Sequence, residues 1–448
     1  MTTDERLKFR SESRLIGRRA PRRVFAVCVL TAVLATSAAG KAASAASAAD
    51  AAKSQDALLE RQLDALRRRT EETPKNGAGW KELGSAYVRR AYETADPSYY
   101  PAAADAFKRA SALVPKSPEL LSAEAGLALA RHEFAVAASL SRDALTLQPN
   151  SFDAKVALVD ATIELGRYDE AAGLIDGLVD QRAGVASLSR LSYLRQLNGD
   201  IVGAEAAMRS AISAAPAGTV DRSVALAYLG DILLERGKGS AARKAFDEAR
   251  RIHPFSATAA MGIARMDAGD RRWGASIAVL DALTERVPLP GALGQRADVA
   301  RAAHDPKGEL AANQLVDASI ALFRSNGAVV DSELAVLLAD RGPGSAASAV
   351  SAAKKAYASR QTIFTNDAMA WSLFQAGKVT DAVPFARRAV ATNPAVASVR
   401  WHAAAVFAAA GFNDDARSEL AAASANQWFS ASQNSARVAL AIKLKGQS

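Results

Sequence analysis

The stretch IELGRYDEAAGLIDG, residues 163–177, joins an apolar run, a glycine and a segment rich in small residues. The same order returns as LLERGKGSAARKAFDEA, residues 233–249, and as LFQAGKVTDAVPFARRA, residues 373–389. A glycine that recurs between two such segments indicates one structural unit copied along the chain. Copied units of this kind determine the architecture of a protein before they determine its chemistry.

The spacing around the turn glycine is regular. Counted from Gly237, a small residue stands at plus five, a bulky one at plus nine, another small one at plus twelve and a proline at plus seventeen. Two helices joined by a tight turn approach closely only where small residues stand at their crossing, and bulky residues fill the gap to the next unit. The offsets give Ala242, Phe246, Ala249 and Pro254 from Gly237, Ala204, Met208, Ala211 and Pro216 from Gly199, and Ala382, Ala386, Ala389 and Pro394 from Gly377.

This pattern resembles the tetratricopeptide repeat, in which about 34 residues form two antiparallel helices. Further copies surround His132, Gly166 and Gly411, and the first begins with WKELGSAY at residues 80–87. One such repeat cannot bury its own apolar face, so neighbouring repeats stack and bury it together. The resemblance implies an all-α, right-handed superhelical solenoid.

Residues 270–366 carry the weakest copies of the pattern. Turn signals in HDPKG (Gly308) and RGPGS (Gly342, Gly344) fall near the places where two diverged copies would turn. The sequence therefore predicts about ten helix-turn-helix repeats over residues 76–430. Leucines at helical spacing predict a capping helix at each end, over residues 50–75 and 431–448.

Residues 1–49 have the order of a secretory signal peptide followed by a linker of small residues. A basic region ends at Arg23, an apolar run follows from Val24 to about Ala39, and small residues then offer A-x-A cleavage sites. The sequence thus predicts export across a bacterial inner membrane. An uncleaved membrane anchor is the alternative, although a span needs about 20 apolar residues and Lys41 interrupts this run after sixteen.

The net charge of +9 is concentrated in the same N-terminal segment. Residues 1–49 hold nine basic and three acidic residues, which leaves 47 basic and 44 acidic residues for the rest of the chain. These nearly equal numbers of basic and acidic residues argue against a nucleic-acid partner. The single cysteine, Cys28, lies within the apolar run and excludes an intrachain disulfide.

The sequence carries no motif of a catalytic or metal-binding site. The four histidines stand in different repeats, and none has a second ligand three or four residues away, as a helical metal site requires. Carboxylates that fall on first helices, Asp160, Asp231, Glu235 and Asp267, are typical of solvated helix faces. The interpretation is a protein that is not an enzyme and that holds no cofactor or metal.

Four aromatic residues are candidates for a partner site. The resemblance implies a concave groove lined by the first helix of each repeat, and Tyr193, Trp371, Phe374 and Trp401 fall near groove-facing positions. Exposed aromatic residues in a concavity make good anchors for a partner, but Trp371 or Trp401 could equally fill the seam between helices. The predicted function is an exported scaffold or adaptor that binds a protein or peptide in the groove, in bacterial cell-envelope organisation or assembly. The alternatives are a membrane-anchored repeat protein, and a solenoid that presents a small-molecule or glycan site to or as an enzyme.

Overall fold

The computed structural model describes residues 57–94 and 96–446, and these residues form helices and connecting turns without a strand. The predicted signal peptide, residues 1–49, lies outside the described residues, as does the start of the segment predicted as the N-terminal cap. Helix α1 covers residues 57–72, and the last helix, α22, covers Asn434–Lys445. Between them the helices pair in chain order.

Helices α2 to α21 form ten consecutive antiparallel hairpins in the described part of the chain. The first five are α2–α3 (Gly77–Thr94, Tyr99–Leu113), α4–α5 (Pro118–Ala130, Phe134–Leu147), α6–α7 (Phe152–Glu164, Tyr168–Gln181), α8–α9 (Val185–Leu197, Ile201–Ala214) and α10–α11 (Val220–Glu235, Gly239–Ile252). The second five are α12–α13 (Ala257–Gly269, Trp273–Thr284), α14–α15 (Pro290–Ala302, Pro306–Ser325), α16–α17 (Asp331–Asp340, Ala346–Ser359), α18–α19 (Ile363–Gln375, Val379–Ala389) and α20–α21 (Ala397–Ala409, Asn413–Ala423). The all-α fold of about ten repeats is confirmed, including the two weak copies, which are α14–α15 and α16–α17.

The turn within nine of the ten hairpins contains one residue with a positive φ among the described residues. Gly166 ends α6 at a φ of +77°, where a residue without a Cβ is favoured. Its N–H donates to the carbonyl of Ile163 at 2.9 Å, and the N–H of Arg167 donates to that of Thr162 at 2.9 Å, so the last carbonyls of α6 are satisfied. His132 and His304 adopt the same conformation in copies that lack the glycine.

Small residues stand where the two helices of a hairpin cross. Ala242 and Ala249 on α11 are fully buried, and so is Phe246 between them. A Cβ on Gly230 of α10 would lie 2.3 Å from the Cε1 atom of Phe246. The regular spacing seen in the sequence therefore records close contact between helices, because any larger residue at these crossings would push the helices apart.

The later hairpins return onto the earlier ones. The guanidinium of Arg131, at the α4–α5 turn, donates to the carbonyl of Gly327 at 3.0 Å, and Thr392 donates to the carbonyl of Leu197 at 2.7 Å, each across 195 or 196 residues. That separation corresponds to roughly six repeats of about 34 residues. Successive turns of the superhelix are therefore in direct contact. These contacts border the face lined by the first helices.

None of the helices within residues 57–94 and 96–446 combines the length and the apolar character that a membrane crossing requires.

Candidate functional site

The four aromatic residues selected from the sequence lie in two separate pockets. The first helices α14, α16, α18 and α20 pack side by side and form what is here called the inner face. Trp371 and Phe374 on α18 and Trp401 on α20 line one pocket of about 430 Å³, here called the tryptophan pocket. Tyr193 on α8 lines another pocket, of about 300 Å³. The structure thus brings three of the four residues together.

The two indoles of the tryptophan pocket belong to its wall. Trp371 and Trp401 each retain only 4% of their surface exposed, whereas Phe374 is partly exposed. The ring of Trp371 stacks against Phe374 at 5.3 Å and against His402 at 4.1 Å between centroids. Both tryptophans therefore contribute to the seam between helices.

Buried polar groups fix the orientation of Trp371. Its indole N–H donates to a carboxylate oxygen of Asp340 at 2.8 Å. His402 pairs through Nδ1 with Asp367 at 3.0 Å. Burial alone would lower the pKa of His402, but the charge and hydrogen bond of Asp367, with the charge of Asp340, raise it above its ordinary value. The imidazole is thus held in place behind the indole.

Residues 424–446, here called the C-terminal segment, close one side of the tryptophan pocket. Asp298 on α14 accepts hydrogen bonds from the Ser430 hydroxyl at 3.0 Å, from the N–H of Ala431 at 2.8 Å and from the N–H of Ser432 at 3.2 Å, and the Ser432 hydroxyl bonds it as well. The side-chain amide of Gln433 donates to Asp340 at 2.9 Å. The inner face therefore already holds a length of polypeptide.

A second carboxylate anchors the beginning of the C-terminal segment. Glu235, at the end of α10, accepts from the side-chain amide of Asn426 at 3.1 Å and from the N–H of Ala397 at 3.0 Å. Burial raises the pKa of Glu235 to about 7, against the lowering effect of these two donors. The contact thus joins the α10–α11 turn to the last hairpin.

Trp428 inserts beside two glycines of the preceding superhelical turn. A Cβ on Gly239 would lie 2.5 Å from the indole atom Cη2, and a Cβ on Gly269 would lie 2.4 Å from Cδ1. Neither position tolerates a side chain while the indole is in place. The two glycines thus leave the space that the indole of Trp428 in the C-terminal segment occupies.

The pocket around Tyr193 is more polar. It is lined by Asp160, Glu164 and Arg360 in addition to the phenol. Arg360 pairs with Glu164 at 2.7 Å, and Asp160 pairs with Arg190. Burial raises the pKa of Tyr193 well above its ordinary value, so the phenol is neutral. The charges of this pocket are therefore largely balanced within the protein.

The carboxylates noted in the sequence are engaged in ion pairs or hydrogen bonds. Asp231 pairs with Arg265, and Asp267 pairs with Arg243 at 2.7 Å and with Arg272 at 2.6 Å. Among the described residues, no three histidine, cysteine, aspartate or glutamate side chains group as a metal site would require.

Sequence reasoning missed the residues that hold the C-terminal segment. Asp298 and Asp340 meet their partners across 132 and 93 residues, and no local pattern indicates such contacts. One signal was available, because the linker over residues 424–433 is longer than the connections between the hairpins. A long connection in a repeat protein frequently carries function.

Comparison with known proteins identifies the repeat. Residues 128–192 match the tetratricopeptide repeat family model. Similar solved structures include pilF from Pseudomonas aeruginosa (16% identity, 44% of this chain and 89% of that one, TM-score 0.37), yeast Tom70 (13%, 91% and 96%, 0.36) and YrrB, a TPR protein with an unusual peptide-binding site (14%, 44% and 96%, 0.27). No curated protein sequence matches the chain significantly. Such distant similarities carry no argument about a partner.

Proposed function

We propose that this tetratricopeptide repeat protein is an exported adaptor, without catalytic activity of its own, that holds a polypeptide segment of a partner protein on its inner face. The observation that carries the proposal is the binding of the C-terminal segment to the inner face. Asp298 receives two backbone N–H groups and two hydroxyl groups from residues 430–432. A surface that binds irregular backbone in this way is suited to bind polypeptide in general.

The chemistry of the C-terminal segment specifies the partner that would fit. Trp428 supplies a large aromatic anchor, and Ser430, Ser432 and Gln433 supply donors for the two inner-face carboxylates Asp298 and Asp340. A partner segment with an aromatic residue followed by serine or amide side chains would reproduce these contacts. Such a segment would bind by displacing the residues that now occupy the inner face.

Photocrosslinking from the inner face tests the proposal. The residue p-benzoylphenylalanine would replace Phe374, which is partly exposed in the tryptophan pocket, and Leu310 on α15, which is 61% exposed, would be replaced as the control. We expect one reproducible protein adduct from position 374 that is absent from position 310 and is suppressed by an added peptide of residues 424–446. Equal adducts at both positions, or adducts insensitive to the peptide, would contradict inner-face binding.

The proposal of export rests on the succession of basic, apolar and small residues within residues 1–49. It is tested separately. The full-length chain with a C-terminal tag would be produced in a bacterial host, the cells fractionated and the N-terminus of the product sequenced. We expect a product that begins near residues 46 to 50 in the periplasmic or secreted fraction. An intact N-terminus in the membrane fraction would make the protein an anchored adaptor instead, and one in the cytosol would refute export.

A further inference from the structure

We propose that the partner segment held on the inner face carries an arginine at the place that Gln433 now takes, and that this arginine forms an ion pair with Asp340. This proposal rests on the proposed function, because it concerns the polypeptide that displaces the C-terminal segment. It specifies the charge of that polypeptide: a basic side chain stands where the protein's own segment has a neutral amide.

Asp340, at the end of α16, has one carboxylate oxygen without a donor. The indole N–H of Trp371 and the side-chain amide of Gln433 both donate to Oδ1, at 2.8 and 2.9 Å. Within the part of the chain that the structure describes, Oδ2 accepts no hydrogen bond and the carboxylate forms no ion pair. A guanidinium group presents two parallel N–H donors that match both oxygens of a carboxylate. Asp340 therefore suits an arginine better than an amide.

Gln433 meets Asp340 with only half of its amide group. Its nitrogen donates to Oδ1, but its carbonyl oxygen Oε1 is buried and accepts no hydrogen bond among the described residues. A buried acceptor without a donor costs stability. An arginine has donors and no acceptor, so at this place it would remove the unpaired oxygen and also supply a donor to Oδ2 of Asp340.

The surroundings of Asp340 lack positive charge. His402 is the nearest cation when protonated, but its Nδ1 already pairs with Asp367 at 3.0 Å, so two carboxylates share one imidazole. Arg301 pairs with Glu309 at 2.7 Å. Burial raises the pKa of Asp340 above its ordinary value, although the charge of His402 lowers it. A further cation would stabilise the ionised carboxylate.

The tryptophan pocket has room for the longer side chain. Its volume is about 430 Å³, and both Asp340 and Gln433 line it. Ala405 and Ala408 form an apolar wall along which the methylene groups of an arginine can lie. The partly exposed ring of Phe374 offers a surface on which a guanidinium group can stack.

The present occupant of the inner face is itself basic. Residues 424–446 contain Arg437, Lys443 and Lys445 and no aspartate or glutamate, whereas the inner face meets this segment with carboxylates. Complementary charge favours the correct partner over others. Lys443 lines the tryptophan pocket, but it belongs to the segment and leaves with it. Displacement thus leaves the inner face open to another basic segment.

A partner has to compete with a segment that is tethered. A short flexible linker gives a tethered segment an effective concentration in the millimolar range, so a partner that made the same neutral contacts would bind only at similar concentrations. A charge-assisted pair of hydrogen bonds increases affinity by about tenfold or more over a neutral one. The arginine would supply an advantage that the protein's own segment lacks.

Three peptides of residues 424–446 test the proposal: the native sequence, Gln433→Arg, and Gln427→Arg at an exposed position as the control of equal charge. The receptor is the full-length protein with Ser430→Ala, Ser432→Ala and Gln433→Ala, which weaken its own segment. Fluorescence anisotropy of labelled peptides measures the affinities. We expect the Gln433→Arg peptide to bind about tenfold or more tightly than either of the others.

The outcomes separate this proposal from the proposed function. If the native peptide binds and the two arginine peptides bind equally, the ion pair with Asp340 is wrong, while the holding of polypeptide on the inner face stands. If none of the three peptides binds, both proposals are contradicted.

Asp340→Asn in the same receptor assigns the gain to this carboxylate. The asparagine retains an acceptor for Trp371 but carries no charge, so the advantage of the Gln433→Arg peptide over the Gln427→Arg peptide should disappear. Asp105→Asn, an exposed carboxylate on α3, should preserve that advantage. A merely structural role of Asp340 would weaken all three peptides by the same factor, and an advantage that persisted in Asp340→Asn would overturn the proposal.

The same substitution within the full-length chain provides a second measurement without added peptide. Gln433→Arg should slow hydrogen exchange at the amides of residues 434–445 by about tenfold relative to Gln427→Arg, because the segment docks more tightly. Equal exchange in the two variants would refute a cation site at Asp340.

Discussion

Gly230 and Phe246 show how single residues determine the spacing of the hairpins. The ring of Phe246 is fully buried and approaches the backbone of Gly230 more closely than any Cβ would allow. The alanines at the helix crossings likewise allow the two helices to approach closely. The packing of each repeat thus depends on a few positions that require a small side chain or none.

Gly230→Ala and Gly173→Ala should change stability in opposite directions. A Cβ on Gly230 would lie 2.3 Å from Phe246, so overpacking should cost about 1–3 kcal/mol. Gly173 lies on an exposed face of α7 with nothing within 4 Å of an added Cβ, and alanine there should stabilise by about 0.5–1 kcal/mol. Urea denaturation followed by circular dichroism measures both. Equal effects would show that the crossing is not tightly packed.

Asp298→Asn should loosen the C-terminal segment without unfolding the repeats. The amide retains an acceptor but loses the charge that strengthens four hydrogen bonds, so docking of the segment should weaken by about 1–3 kcal/mol. Hydrogen exchange at the amides of residues 434–445 should accelerate about tenfold or more. Asp105→Asn, an exposed carboxylate on α3 that pairs with Arg109 of the same helix, serves as the control. Unchanged exchange in Asp298→Asn would disprove the anchoring role.

At the scale of the element, the contact between Glu235 and the linker before α22 makes stability depend on pH. The folded state raises the pKa of Glu235 from 4.5 to about 7, so it binds this proton more tightly than the unfolded state does. Stability from this group is therefore lost as the pH rises from about 4.5 to about 7 and is constant above that. The shift corresponds to about 3 kcal/mol.

Glu235→Gln should remove this loss, and the free energy of unfolding measured between pH 4.5 and 8 should become flatter than that of the wild type. Glu205→Gln is the contrasting variant. The pKa of Glu205 is lowered to about 2, because hydrogen bonds from Lys238, Arg209 and Arg236 outweigh its burial, so its contribution is lost only as the pH falls below about 4.5. If Glu235→Gln retained the full slope of the wild type above pH 4.5, the pKa of Glu235 would have to be ordinary.

The helices themselves could be predicted from the sequence, and their long-range contacts could not. The turn at Gly166 and the crossing at Ala242 follow from local spacing, since a left-handed turn and a close approach each demand a particular residue type. The hydrogen bond from Gln433 to Asp340 forms because the chain after the last hairpin folds back onto α16. A repeat spacing of about 34 residues does not predict this contact. Three aromatic residues of the pocket wall were selected from the sequence as candidates for a partner site, which stays a prediction, and the segment that closes the pocket was missed.

At the scale of the whole molecule, contact between successive superhelical turns should hold the solenoid closed. Arg360 pairs with Glu164 at 2.7 Å across 196 residues and donates to Ser332 at 2.9 Å. Arg360→Met would leave the half-buried Glu164 without its counter-charge, at a cost of about 1–3 kcal/mol. We expect a larger radius of gyration in small-angle X-ray scattering and a lower thermal midpoint.

Arg142→Met is the control for this variant, because it removes a more exposed arginine that pairs with Glu170 on a neighbouring helix of the same superhelical turn. It should leave the radius of gyration unchanged. The same radius in wild type and Arg360→Met would contradict a role of this contact in closure.

The most direct test of the central claim is the yield of the partner adduct from position 374 when the C-terminal segment alone is weakened. Ser430→Ala, Ser432→Ala and Gln433→Ala together remove the side-chain donors and leave the inner-face carboxylates intact. If the segment and a partner share the inner face, the adduct should increase several-fold over that of the wild-type segment. An unchanged or smaller yield would show that the segment does not occupy a partner site, and it would contradict the proposed function.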